Sequence, residues 1–186
     1  ALTIANQALI EEAVLGLGRV GTGNRGQTAG PVDAFRTRDG WILVQIVGDP
    51  LFRRWADLMG EAGWLEDPRF ASDQARGDNG AVLSERMSRW TAERTTAEAL
   101  EQLAQARIPC GEVLEPARAL SDPQIVARQL LQPVDYPGLP RPAPVAATPV
   151  SLSRTPGTIR HRAPLLSEHT DAVLGELGYD AAEIAR

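Results

Sequence analysis

The 186-residue sequence contains no lysine, and all 19 of its basic residues are arginine. That removes Schiff-base chemistry on a lysine, a P-loop lysine and a lysine general base. A single cysteine, Cys110, excludes an internal disulfide and fits a reducing, cytoplasmic setting. The two histidines, His161 and His169, stand eight residues apart across Pro164. With Cys110 remote in sequence, they fall short of the three or four ligands a zinc site needs, so no metal is expected. No apolar run approaches the ~18 residues of a membrane span. No basic segment followed by an apolar one opens the chain, so no signal peptide is expected either. A net charge of −5 lacks the basic stripe of a nucleic-acid binder.

What is present reads as a mixture of helices and short strands. Residues 1–18 carry Leu2, Ala5, Leu9, Ala13 and Leu17 at helical spacing, in a helix with no N-cap that looks cut rather than begun. Gly18 to Pro31 is a glycine-rich loop. Val32–Thr37 and Trp41–Val47 read as a hairpin about Asp39-Gly40, and the second strand is apolar enough to be buried on most of its surface. After Pro50, Phe52, Trp55, Ala56 and Met59 form one helical stripe that ends at Gly60. Trp64–Phe70 is short and irregular. Asn79–Thr91 is a helix with Leu83, Met87 and Trp90 inward, and Thr95-Thr-Ala-Glu98 is a capping box opening the next. Ile108–Val113 is a break followed by an extended piece. Asp122-Pro123 caps a short helix with Ile125, Val126 and Leu130 inward.

Eight prolines between Pro133 and Pro164 indicate an extended connection, with short strands at Val145–Ala147 and Val150–Ser153. Ser167 caps a helix with Val173, Leu174 and Leu177 inward and Gly178 as its stop. Asp180 to Glu183 opens a last helix in capping-box form.

None of the chemical constellations outweighs its simpler explanation. Gly16-Leu-Gly-Arg-Val-Gly21 matches a dinucleotide fingerprint but follows a helix, whereas that site needs a strand before it. Ser167, His169 and Asp171 hold the residue types of a hydrolase triad at positions that point apart. Cys110 reads as a small packed residue, and the four tryptophans as core or turn anchors. Arg36/Arg38 and Arg53/Arg54 read as solvated surface.

The order of segments is nevertheless distinctive. Gly23-Asn-Arg25, Ala34-Phe-Arg-Thr-Arg-Asp-Gly-Trp-Ile42, Val47-Gly-Asp49, Asp67-Pro-Arg-Phe70, Arg94-Thr-Thr-Ala-Glu98, Ile108-Pro-Cys-Gly-Glu-Val113, Asp122-Pro-Gln124 and Pro164-Leu-Leu-Ser-Glu-His-Thr-Asp171 occur in that order. Together they resemble the class III CoA-transferase family, the CaiB/BaiF type that includes formyl-CoA transferases and acyl-CoA racemases.

The resemblance implies an α+β small domain with flanking segments of a Rossmann-like α/β large domain, in chains that interlock as a homodimer. On that basis residues 1–30 are a helix and linker from the large domain, 31–131 the small domain, and 132–186 a proline-rich return segment with C-terminal helices packing on the large domain. The implied activity is transfer of CoA from an acyl-CoA to a carboxylic acid through an aspartyl intermediate. The aspartate lies upstream of the helix that Ala1–Leu17 resembles, so no catalytic residue is carried over and the fragment alone is expected to be inactive. CoA or acyl-CoA enters as substrate and no other cofactor is implied. Arg25, Gly26, Gln27 and Gly30 match the loop that covers the active site in formyl-CoA-type members. The alternatives are an acyl-CoA racemase of the same superfamily, working by proton abstraction α to the thioester, and a non-catalytic binding or dimerisation module.

Overall fold

A computed structural model describes residues 7–185. The chain divides into two compact units, Ala1–Val113 and Leu114–Arg186.

In the first unit, α1 (Gln7–Leu15) precedes the glycine-rich segment. The part of the expected helix at residues 1–6 lies outside the described residues. Strands β1 (Val32–Arg36), β2 (Trp41–Gln45) and β3 (Cys110–Glu112) form an antiparallel sheet in the order β1-β2-β3. The hairpin register pairs Arg36 with Trp41 and Val32 with Gln45 about the expected turn.

Burial on most of β2 does not hold. Ile42 and Val44 are fully buried, while Trp41 and Leu43 are 46% and 42% exposed. Successive side chains point to opposite faces of a strand, and only one face of this sheet is covered by helices of the unit.

Four helices follow β2: α2 (Asp49–Met59), α3 (Asp73–Asp78), α4 (Gly80–Ala92) and α5 (Thr96–Gln105). Pro50 stands in the first turn of α2, and Gly60 stops the helix in the left-handed region at φ 72°. The expected stripe of Phe52, Trp55, Ala56 and Met59 is buried. It meets Phe35, Ile42, Val44 and Ile46 from the sheet side, Leu83, Met87 and Trp90 from α4, and Ala99 and Leu103 from α5. The capping box is formed: Thr95 accepts from Glu98 N–H at 3.2 Å, and Glu98 accepts from Thr95 N–H at 2.7 Å.

The hairpin turn is latched to the start of α5. Asp39 Oδ1 accepts from Thr96 N–H at 2.7 Å and from the Thr96 hydroxyl at 2.9 Å, and the Thr37 and Thr96 hydroxyls lie 2.7 Å apart. The Thr96 backbone N–H, then its hydroxyl, hold the Asp39 carboxyl below its ordinary value of 3.8. A carboxylate depressed by folding stabilises the fold fully above its unfolded value and loses that contribution as pH falls through its folded value. Asp39→Asn should therefore lower the melting temperature at neutral pH, and its deficit against the parent chain should shrink below about pH 4, as thermal melts over a pH series would show.

In the second unit, α6 (Pro116–Ala119) and α7 (Pro123–Ala127) lead into the two-stranded ribbon β4 (Leu131–Val134) and β5 (Ala143–Ala146), and α8 (Thr170–Glu176) and α9 (Ala181–Ile184) close the chain. None of its described residues is buried. Val126 and Leu130 of the expected inward set are 60% and 47% exposed, and Val173 and Leu177 are exposed as well. A two-stranded ribbon and short helices offer these side chains no second layer. β5 overlaps the expected strand at Val145, while Val150–Ser153 forms none. Ser167 is not the cap of α8: it adopts φ 62° two residues earlier, and His169 takes the N-cap position. Asp180 and Glu183 form their capping box around α9 as expected. The contact division at Val113 and the proline-rich change of composition near Gln132 are two different landmarks.

Candidate functional site

The Arg25–Gly30 loop is packed onto α3 and α4 and not draped over them. Its tail, Ala29, Gly30 and Pro31, is buried. The Gly26 N–H donates to the Val32 carbonyl at 2.7 Å. Glycine is required here for space. A Cβ on Gly30 would lie 2.9 Å from both the Arg76 carbonyl oxygen and Leu83 Cδ1, and one on Gly26 2.9 Å from Val32 Cβ. On the other side of the contact, a Cβ on Gly77 would lie 2.3 Å from the Gln27 carbonyl oxygen. Rigid backbone occupies both sides there, so the loop and α3 approach to a distance only a glycine allows.

The head of the loop faces a groove of about 550 Å³ bounded by Arg19, Thr22, Arg25, Gln27, Gln74 and Asp78. Arg19 donates to the Gln27 carbonyl at 3.0 Å and pairs with Glu11 at 3.1 Å. The Gln27 amide donates to the Val20 carbonyl at 2.8 Å. Of the four residues singled out from the sequence, Arg25 and Gln27 line the groove, whereas Gly26 and Gly30 serve as packing points. Reading residue types along the sequence missed Gln74, Gly77 and Asp78, because they come from α3, a polar helix with no apolar stripe.

What fixes α3 is a buried arginine. The Arg76 side chain is 3% exposed and donates to Asp49 and Asp73, each at 2.7 Å, and to the Phe70 carbonyl at 3.1 Å. Its guanidinium lies over the Phe52 ring, 4.7 Å from the centroid. Asp73 in turn accepts from the Gly48 N–H at 2.9 Å. Burial alone would push the Asp73 carboxyl up, but the Gly48 N–H and Arg76 outweigh it and hold it below its usual value. Asp73 and Arg76 are one helical turn apart, so their spacing was readable; that Arg76 also reaches Asp49 was not.

The other candidates stay apart. Burial pushes the Cys110 thiol up, the opposite of what an activated nucleophile needs. The side chains of Ser167, His169 and Asp171 make no hydrogen bond to one another. His161 and His169 border one groove, yet no group of three metal-ligating side chains occurs among the described residues. Gly16 donates back to the Glu12 carbonyl at 2.9 Å, which makes the glycine fingerprint a helix stop. No helix of the described residues is long and apolar enough to cross a membrane.

The model of CoA-transferase family III matches residues 1–170. This chain belongs to CoA-transferase family III. Among family III relatives, it is 30% identical over 177 residues to succinyl-CoA–D-citramalate CoA-transferase of Chloroflexus aurantiacus, covering 95% of this chain and 44% of that protein. It is 34% identical over 144 residues to formyl-CoA:oxalate CoA-transferase of Rhodopseudomonas palustris, covering 77% of this chain and 33% of that one. The crystal structure of a CaiB/BaiF family protein from Brucella suis superposes with a TM-score of 0.60 at 28% identity, over 94% of this chain and 44% of that chain. The family III chain described here thus spans less than half the length of these relatives.

Proposed function

We propose that these residues belong to an enzyme that moves CoA from an acyl-CoA to a carboxylic acid. The match to the family over residues 1–170 carries this reading, and the relatives named above as CoA-transferases support it. In this reading the nucleophile is an aspartate outside the present chain. Its carboxylate oxygen attacks the thioester carbonyl, the C–S bond breaks, and CoA leaves as thiolate from a mixed anhydride. The thiolate then attacks the aspartyl carbonyl, which releases the donor acid as carboxylate and leaves an aspartyl–CoA thioester. The acceptor carboxylate reverses both steps and leaves as the new acyl-CoA. Covalent catalysis of this kind replaces one hard exchange with easier ones.

The part of this chain nearest the substrate is the Arg25–Gly30 loop. Residues 31–131 serve as the small α+β domain, and residues 1–30 and 132–186 as flanking pieces that pack on a Rossmann-like body in an interlocked cytoplasmic homodimer. The exposed apolar side chains of the second unit, Leu166 and Leu177 among them, support such packing.

Mass spectrometry of a longer protein containing these residues, quenched during turnover, tests the assignment. The CoA adduct should map to an aspartate outside residues 1–186; an adduct within them would refute it. Deuterium exchange α to the thioester without CoA exchange would favour the racemase reading.

A further inference from the structure

The glycines in and around the Arg25–Gly30 loop are of two kinds. Gly16, Gly18 and Gly23 adopt φ 60°, 60° and 70°, and a Cβ on any of them would meet nothing within 4 Å. They stand where the backbone takes a conformation that other residues rarely adopt. Gly26, Gly30 and Gly77 are the reverse. None has a positive φ, and a Cβ on each would lie 2.9, 2.9 and 2.3 Å from its nearest neighbour. These three supply room, not freedom. The change from one kind to the other falls between Gly23 and Gly26, at the head of the loop.

From Gly26 onward the segment is tied along its length. The Gly26 N–H donates to the Val32 carbonyl at 2.7 Å, and the Ile46 N–H to the Pro31 carbonyl at 3.1 Å. Between these ends the Gln27 carbonyl accepts from Arg19 at 3.0 Å and from the Gln74 amide at 3.4 Å. Gly77 admits that same carbonyl to α3. Glycine costs a helix about 1 kcal/mol against alanine, yet any other residue would force α3 and the loop apart at this point. A segment that swings as a lid needs few buried contacts and residues free to absorb a change in φ and ψ. Here the two glycines that would serve as hinges are wedged, Gly26 against Val32 and Gly30 against the Arg76 carbonyl and Leu83.

We infer that the Arg25–Gly30 segment is a fixed wall of the site rather than a lid. It moves with α3 as one body, and Gly77 is the positioning residue that sets its distance from that helix. Because Arg76 anchors α3 to Asp49, the position of the wall is set in turn by that ion pair. Only the placement of the wall beside a substrate rests on the CoA-transferase reading above; its coupling to α3 does not.

Amide hydrogen exchange of the 186-residue chain, read residue by residue by NMR, tests the coupling without a substrate. The Gly26 amide, bonded to the Val32 carbonyl, and the Arg76 amide, bonded to the Ser72 carbonyl in α3, should show protection factors within about thirtyfold of each other. A larger gap in either direction would mean that loop and helix open separately, and would overturn the inference. Gly77→Ala should displace the Gln27 backbone by about 1 Å to relieve its contact. It should speed exchange at Gly26 at least about tenfold while the Arg38 amide, bonded to the Arg94 carbonyl at 2.9 Å, changes less than about threefold. No acceleration at Gly26, or equal acceleration at both amides, would remove the positioning role. Should that variant not fold, the comparison of Gly26 with Arg76 in the parent chain still decides. In a longer protein that contains these residues, succinyl-CoA should slow Gly26 and Arg76 to the same degree; slowing at Gly26 alone would be a lid closing and would contradict a wall. If that protein transfers no CoA, the CoA reading falls while the exchange result in the chain stands.

Discussion

Arg76→Met should destabilise the first unit by about 3 kcal/mol, the low end for breaking a buried ion pair. The side chain is 3% exposed, and its removal strips Asp73 and Asp49 of their partner and the Phe70 carbonyl of its donor. Asp49 is 75% exposed and recovers water, which keeps the loss from the upper end. Asp73 keeps the Gly48 N–H but stays half-buried without a counter-charge. Urea unfolding followed by tryptophan fluorescence measures the difference, and a change below about 1 kcal/mol would show the knot to be ornamental. The consequence extends to the groove, because α3 carries Gly77, the contact point for the Gln27 carbonyl, together with Gln74 and Asp78.

Trp55→Ala should cost about 3–5 kcal/mol, the range for an aromatic side chain deleted from a core. Trp55 is the largest of the fully buried side chains. Its indole N–H points at the Met87 sulfur at 3.3 Å, and its ring lies 5.7 Å from Phe52 and 5.6 Å from Trp64. Neighbours from three elements cannot all relax into the space it leaves. Trp55→Phe should recover much of the loss, which distinguishes volume from the N–H contact. The same urea titration reads both variants.

The fold was legible where a local signal and the tertiary environment agree. Asp39-Gly40 marks its turn, Thr95 and Glu98 cap α5, and the Phe52–Met59 stripe is the core face of α2. Where they part, the sequence is silent or misleading. Trp41 and Leu43 look like core because a strand's residue types do not say how many of its faces are covered. The polar helix α3 shows no periodicity because an ion pair holds it, not an apolar stripe. Val126, Val173 and Leu177 keep helical spacing in a unit that offers them nothing to pack on. For the site, Arg25 was legible through the order of segments around it. That Gln74 and Asp78 line the same groove was not, because that depends on which helix the fold brings near.

The reading of these residues as part of a CoA-transferase whose nucleophile lies elsewhere is tested most directly by a transfer assay. The purified 186-residue chain is offered succinyl-CoA or formyl-CoA with a panel of carboxylic acids, in parallel with a longer protein that contains the same residues. The account predicts no CoA transfer by the chain alone and measurable transfer by the longer protein. Turnover by the chain alone, or none by a folded longer protein over a broad panel of acids, would contradict it.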